Sequence, residues 1–545
     1  MWRFENAYPK VNLTSRIRKI GLATNFYHRK VGDASIRSVA VGLTRRFLRW
    51  LWNADVRVYG DTDSMAEGDG NSTLGKDEPK KIYAIDPEGE PVVTEQVLGD
   101  LKYSATVGML PVKDAYGETK AGIFFTAYTV DSPEPRPLTF SFNGGPGSSS
   151  VWLHLGALGP KRVKLGDDGE ALDAPYDLVD NSESWLSFTD LVFIDPVGTG
   201  FSRSLKAEDE ESFWGLSGDV DSIADFIRSY LTRFERWMSP LYIAGESYGT
   251  TRAAGLSDAL MDRGIGLKAL VLISSILNFQ TARFNRGNDL PFLLFLPTYA
   301  ATAHFHGKLS KDLQAKPLEE LLVEVEEFCE SEYLLALNKG SSLSPEKTAE
   351  TVEKLARFTG LDPLYIELTG LRINIHRFCK ELLRKEGRTV GRLDSRYKGI
   401  DPIGVSESPE FDPSTVIGPA FTHCLNDYIQ RELGYRSKLP YYISNPDKLW
   451  ARWKWGDAGG GYPDTSEALR RTMSKNKFMR VFIANGYYDL ATPYFATRYT
   501  LNHMALDPSL LGNITNGYYE SGHMMYVHSK ELANLKRDVE AFYAD

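Results

Sequence analysis

The chain has 545 residues, a net charge of −9 and three cysteines. That length exceeds one compact core, so a large domain with an insertion, or two domains, is expected. The acidic balance gives no basic footprint for nucleic acid, and Cys329, Cys379 and Cys424 match neither a disulfide framework nor a zinc pattern.

Residues 1–80 read as a basic arm and a polar linker. The first fifty are rich in Arg and Lys against only Glu5 and Asp33, and they lack an uninterrupted apolar core for a secretory signal. A solvated arm of a cytoplasmic protein, an organelle transit peptide and a start at Met65 are the readings left open. Residues 61–80 are polar and rich in Gly, Asp and Ser, which marks a boundary.

Residues 81–280 then read as the first part of a sheet domain. The β-branched and aromatic runs at 103–112, 121–130, 137–144 and 191–198 are short and bounded by turn residues, so strands are expected. A helix is expected over 219–237, where Ile223, Phe226, Ile227, Tyr230 and Leu231 recur at three-and-four spacing. A strand at 240–245, a helix from Thr250 to about Arg263 and a strand at 267–275 follow. This alternation predicts a mostly parallel sheet covered by helices.

Between 281 and 430 the pattern becomes helical, over 309–337, 345–358 and 375–386, as expected of an inserted cap. The stretch 290–303 (LPFLLFLPTYAATA) is too short to span a membrane and is interrupted by two prolines, so it reads as packing around a site entrance. Residues 431–545 return to the sheet domain, with a strand over 479–486.

The chemistry begins at Gly245-Glu246-Ser247-Tyr248-Gly249. A serine between two glycines, with an apolar strand before it and a helix after it, is the context of a nucleophile on a sharp strand-to-helix turn. An earlier segment, NGGPGSSS (143–150), follows a strand and exposes backbone N–H groups, as an oxyanion hole requires. No Gly-Lys-Ser/Thr follows it, so a phosphate loop is a poor reading. An acid and a histidine should come next, in that order. Asp489 lies just past a strand and His523 on a glycine-flanked loop; His503 and His528 are the competing histidines. The His304-x-His306 pair has no third ligand at useful spacing, and no nicotinamide or flavin fingerprint occurs, so neither a metal nor a cofactor is expected.

Four blocks together, NGGPGSSS (143–150), FIDPVGTGFS (193–202), GESYG (245–249) and the NGYYDLATP–ESGHM pair, resemble the serine carboxypeptidase family. The resemblance runs from about residue 90 to the end. It implies an α/β-hydrolase fold with a mainly helical cap and no cofactor. It also implies Ser247 as nucleophile, His523 as general base and then acid, Asp489 as the group that orients the imidazole, and Gly145 and Tyr248 as oxyanion donors. The substrate would be a peptide with a free C-terminus, its carboxylate gripped by Asn143 and Glu246. The chain departs from the family pattern at Ser141 (usually Trp), Ser148 (usually Cys), Ala157 (usually Glu) and in the block around Asp195, which lacks a Gln. Two members of the carboxylate clamp are therefore replaced, and the family's disulfides are expected to be absent, as in bacterial-type members. Two other functions remain: an esterase or acyltransferase on the same scaffold, and a catalytically silent peptide-binding protein.

Overall fold

The structure is a computed structural model that describes residues 83–446, 449–456 and 461–544. The arm and linker expected over 1–80 lie outside the described residues.

Ten strands form one sheet. In chain order they are β1 (Val92–Leu98), β2 (Leu101–Lys113), β3 (Thr119–Thr129), β4 (Leu138–Phe142), β5 (Asp190–Ile194), β6 (Arg203–Ser204), β7 (Leu241–Glu246), β8 (Ala269–Ile273), β9 (Arg480–Gly486) and β10 (Ile514–Tyr519). Their spatial order is β1-β2-β3-β5-β4-β7-β8-β9-β10, with β6 beside β3. The first three strands and β5 pair antiparallel, and every pairing from β5 to β10 is parallel. Strands β4, β5, β7 and β8 are buried along their whole length, which explains their near-continuous apolar sequence. Their alternate residues feed two cores: Ala269, Val271 and Ile273 face one side of the sheet, Leu270 and Leu272 the other.

The expected strands are present, but β1 and β10 lay outside the sequence expectation. Both are partly exposed strands, and polar Thr94, Glu95 and Gln96 or Asn516 and Gly517 dilute their pattern. Helix α1 (Leu216–Arg233) buries the predicted apolar face and stops four residues earlier than expected. Helix α2 (Tyr248–Asp262) begins directly after Ser247.

The segment 290–303 departs from the expectation. It forms a continuous helix, α3 (Leu290–Phe305), whose residues Pro291–Ala303 are buried on every side. Pro291 sits in the first turn, where an amide has no intrahelical acceptor, and Pro297 lies within the helix. A helix apolar all round is a core helix. Around it pack α4 (Leu318–Phe328) and α5 (Pro345–Thr359), giving a third core that contains Phe295, Tyr299, Val325 and Leu355. The expected helix over 309–337 is divided: Pro317 caps α4, and a wider turn at Cys329–Tyr333 separates it from Leu334–Lys339. The helix expected over 375–386 ends at Glu381. Two more helices, α6 (Tyr494–His503) and α7 (Ser529–Ala544), follow β9 and β10. All three cysteines are free thiols, and no helix of the described residues is long and apolar enough to cross a membrane.

Beneath the sheet's carboxyl edge, α1 and α2 are tied by a buried ion pair, Arg252 Nε to Asp219 Oδ2 at 2.7 Å. Arg252 Nη1 also donates to the Asn143 carbonyl at 2.7 Å, which fixes the loop after β4. Burial pushes the Asp219 carboxyl above its ordinary value, and the guanidinium opposes that shift. Removing the cation leaves the acid buried and unpaired, so Arg252→Ala is expected to cost roughly 3–5 kcal/mol. Chemical denaturation with unchanged m-value would measure it; a loss below about 1 kcal/mol would contradict this role.

Candidate active site

The parallel strands bring the ends of β4, β7, β8, β9 and β10 to one edge, where open α/β sheets bind ligands. Ser247 stands at the end of β7 with φ 59° and ψ −128°, a conformation that costs a non-glycine residue about 1–3 kcal/mol. Neighbouring contacts hold it there. Its N–H donates to the Ile273 carbonyl of β8 at 3.0 Å, and α2 starts at the next residue. Both motif glycines are required by close approach. A Cβ at Gly245 would strike the Gly249 carbonyl, and one at Gly249 would lie 2.9 Å from the Phe142 carbonyl oxygen.

The glycine loop after β4 closes on this turn. A Cβ at Gly144 would lie 2.5 Å from the Tyr248 nitrogen and 2.8 Å from the Gly249 nitrogen, so only glycine lets the two backbones meet. Gly145 has φ 104° and is exposed, and Ser247 is partly exposed. The Tyr248 N–H is the first amide of α2 and has no intrahelical acceptor. The two amides expected to serve as oxyanion donors thus belong to segments in van der Waals contact.

Asp489 and His523 also meet. His523 Nδ1 lies 2.8 Å from Asp489 Oδ2 and 3.2 Å from Thr492 Oγ1. Asp489 accepts further bonds from the N–H groups of Ala491 (2.7 Å) and Thr492 (3.0 Å) and from the Thr492 hydroxyl (2.6 Å). Burial alone would raise the Asp489 carboxyl, but the imidazole and these donors outweigh it and hold the acid below its ordinary value. Burial likewise disfavours a charged His523, yet Asp489 and Glu246 raise its proton affinity above the ordinary value. The Ser274 hydroxyl, one residue past β8, donates to the His523 carbonyl at 2.6 Å, which ties the histidine loop to the strand next to Ser247. Among the described residues Ser247 Oγ makes no hydrogen bond; such bonds tighten in the reacting complex.

A strap at residues 392–396 braces both loops. The Arg392 carbonyl accepts from Leu490 N–H (3.0 Å), the Leu393 carbonyl from His523 N–H (2.7 Å), and Ser395 N–H donates to the Tyr488 carbonyl (3.0 Å). Asp394 Oδ2 accepts from Gly522 N–H at 3.0 Å, while Arg396 pairs with Asp394 and donates to the Glu520 carbonyl and the Ser521 hydroxyl. Thr492, Ser274 and this strap were not singled out from the sequence. Nothing local marks Ser274 or the strap, whose partners lie far away in the chain, whereas Thr492 bonds Asp489 three residues before it.

Glu246 is buried at the end of β7. The register that pairs Phe142 with Gly245 places Asn143 beside it, and Asn143 Nδ2 donates to Glu246 Oε2. The Tyr526 hydroxyl donates to the same oxygen at 2.7 Å. Burial pushes the Glu246 carboxyl up to about 7, against the lowering effects of His523, Tyr526 and Asn143.

The competing histidines are occupied elsewhere. His503 is exposed, stacks on Tyr499 and bonds to its carbonyl, and His528 Nε2 pairs with Asp168 at 2.9 Å. His304 and His306 bond to the carbonyls of Lys316 and Ser395. At the positions of departure, Ser141 and Ala157 are fully buried, and Ser148 Oγ donates to the Ser149 carbonyl.

The sheet, its strand order and the serine-bearing turn give the α/β-hydrolase fold. Residues 99–285 match the family model described as serine carboxypeptidase. It is 29% identical over 187 residues to a carboxypeptidase Y homolog of Arthroderma benhamiae, covering 34% of this chain and 33% of that protein. The chain thus spans about a third of that relative's length. To serine carboxypeptidase-like 40 of Arabidopsis thaliana it is 25% identical over 445 residues, covering 76% of this chain and 74% of the relative. The crystal structure of Kex1(delta)p, a prohormone-processing carboxypeptidase from Saccharomyces cerevisiae, has a similar fold. It superposes with a TM-score of 0.50 at 19% identity over 81% of this chain and 91% of that one.

Two outcomes are expected from this geometry. Asp394→Asn keeps the shape of the strap but weakens its charged bonds, so the histidine loop should loosen and turnover fall about tenfold to a hundredfold. Steady-state kinetics on folded enzyme checks this, and unchanged kcat would show that the strap does not position His523. Gly144→Ala should abolish activity because its Cβ would lie 2.5 Å from the Tyr248 nitrogen.

Proposed function

We propose that the chain is a serine-type carboxypeptidase that releases C-terminal residues from peptides. The observation that carries this reading is a buried carboxyl, Glu246, adjacent to the nucleophile and held near pKa 7 by burial. Two carboxylates repel, whereas a protonated Glu246 can donate to a substrate's terminal carboxylate, with Asn143 beside it.

In this reading Ser247 Oγ attacks the carbonyl carbon of the last peptide bond, and its proton passes to His523 Nε2. The charge developing on the carbonyl oxygen meets the N–H groups of Gly145 and Tyr248; one such donor contributes about 3 kcal/mol to the transition state. The C–N bond breaks as His523 returns the proton to the departing amine, leaving an acyl-enzyme. Water, deprotonated by the same imidazole, then releases the acid and restores Ser247. Asp489 fixes the ring through Nδ1 and stabilises its charged form.

A second reading, an esterase or acyltransferase, draws support from Ser141 and Ala157. Neither can supply the aromatic or carboxyl group that the family pattern places there.

The deciding comparison is an N-blocked dipeptide as free acid against the same dipeptide amidated, across pH. The amide requires only neutral His523, so its kcat/KM should rise with pH and then hold. The free acid also requires protonated Glu246, so its kcat/KM should rise, then fall as pH passes about 7. Because each group shifts the other, the two limbs belong to the pair. Equal rates on acid and amide, or a free-acid profile still rising at pH 9, would contradict the exopeptidase reading. Ser247→Ala should lower turnover by roughly a million-fold.

A further inference from the structure

We propose that Tyr526 is a specificity-determining positioning residue: its hydroxyl, acting through Glu246, sets which oxygen of that carboxyl faces the substrate's terminal carboxylate. The inference rests on the carboxypeptidase reading above.

Asn143 Nδ2 and Tyr526 Oη both donate to Glu246 Oε2, and no hydrogen bond among the described residues reaches Oε1. Two donors aimed at Oε2 make it the acceptor oxygen of the neutral acid, so the proton resides on Oε1. Oε1–H is then the donor available to a carboxylate. Without the phenol, a single amide holds Oε2, the carboxyl can rotate, and either oxygen can carry the proton.

Tyr526 is built to hold this position. Its ring is fully buried in the core that also contains Ala157, Leu158 and Phe421. A Cβ at Gly156 would lie 2.9 Å from ring atom Cε2, so the absence of a side chain there makes room for the ring. Burial and the Glu246 charge push the phenol well above its ordinary value, so it stays a donor at every working pH. The groups that act on Glu246 are His523, Tyr526 and Asn143, which favour its charged form, and Asp489, which disfavours it. Removing one donor to the charged form therefore raises the proton affinity of Glu246 further.

Tyr526→Phe keeps the ring and removes only the hydroxyl. The test is steady-state kinetics of wild type and Y526F from pH 5 to 9, on an N-blocked dipeptide free acid and on its C-terminal amide. The expected result is a KM for the free acid raised about tenfold, as for loss of a hydrogen bond to a charged group, with kcat within twofold. The alkaline limb should move to higher pH, while on the amide the high-pH plateau of kcat/KM, which needs only neutral His523, should hold. Unaltered KM and alkaline limb on the free acid, or an equal fall on both substrates, would overturn the proposal while leaving the carboxypeptidase reading intact. A wild type with no preference for the free acid would overturn both. Should Y526F not fold, Gly156→Ala displaces the ring while keeping the hydroxyl; a selective rise in free-acid KM is expected, and no change would count against the proposal.

Discussion

Ser247 occupies a backbone conformation that its side chain disfavours, and the site is organised around keeping it there. Strand β7 lies in the middle of the sheet with β4 and β8 on either side, so the residue that ends it cannot relax without breaking parallel pairing. Helix α2 starts at the next residue, which fixes the Tyr248 amide. The same turn leaves space only for glycine at 144, 245 and 249. Once Ser247 is fixed, Glu246 and Tyr248 are fixed with it, and register carries Asn143 to Glu246. The strain is local, and neighbouring strands and helices distribute its support.

Two carboxyl groups flank one imidazole, and their surroundings drive them in opposite directions. Asp489 accepts four hydrogen bonds counting that from His523, enough to keep it charged despite complete burial. Glu246 accepts two, both on one oxygen, and burial dominates. On the proposed reading the pattern separates roles: a charged acid to orient the histidine, and a near-neutral acid able to donate to an anion. His523 feels both, so proton occupancy at the three groups is linked. Selectivity and reactivity therefore share one electrostatic unit.

Much of this was legible in the sequence because it is local. The pentapeptide with a strand before it and a helix after it fixes the turn, and apolar runs mark β4, β5, β7 and β8. The acid was legible from its place after a strand, the histidine from its glycine-flanked loop, and both from their order; the structure joins Asp489 and His523 directly. What escaped is non-local or contradicts local preference. Helix α3 holds two prolines, and burial on all sides overrides the turn signal they carry. Edge strand β10 holds Asn516 and Gly517, residues with a low preference for strands. Tyr526 and the strap at 392–396 act through partners about a hundred or more residues away. A tyrosine three residues past the histidine carries no sign that it reaches Glu246.

Covalent labelling asks whether Ser247 is a nucleophile activated by His523. Folded protein treated with a fluorophosphonate, digested and mapped by mass spectrometry should carry one adduct, on Ser247. The labelling rate should fall by several orders of magnitude in His523→Ala. No adduct on folded protein, or an adduct on another serine, would contradict the claim.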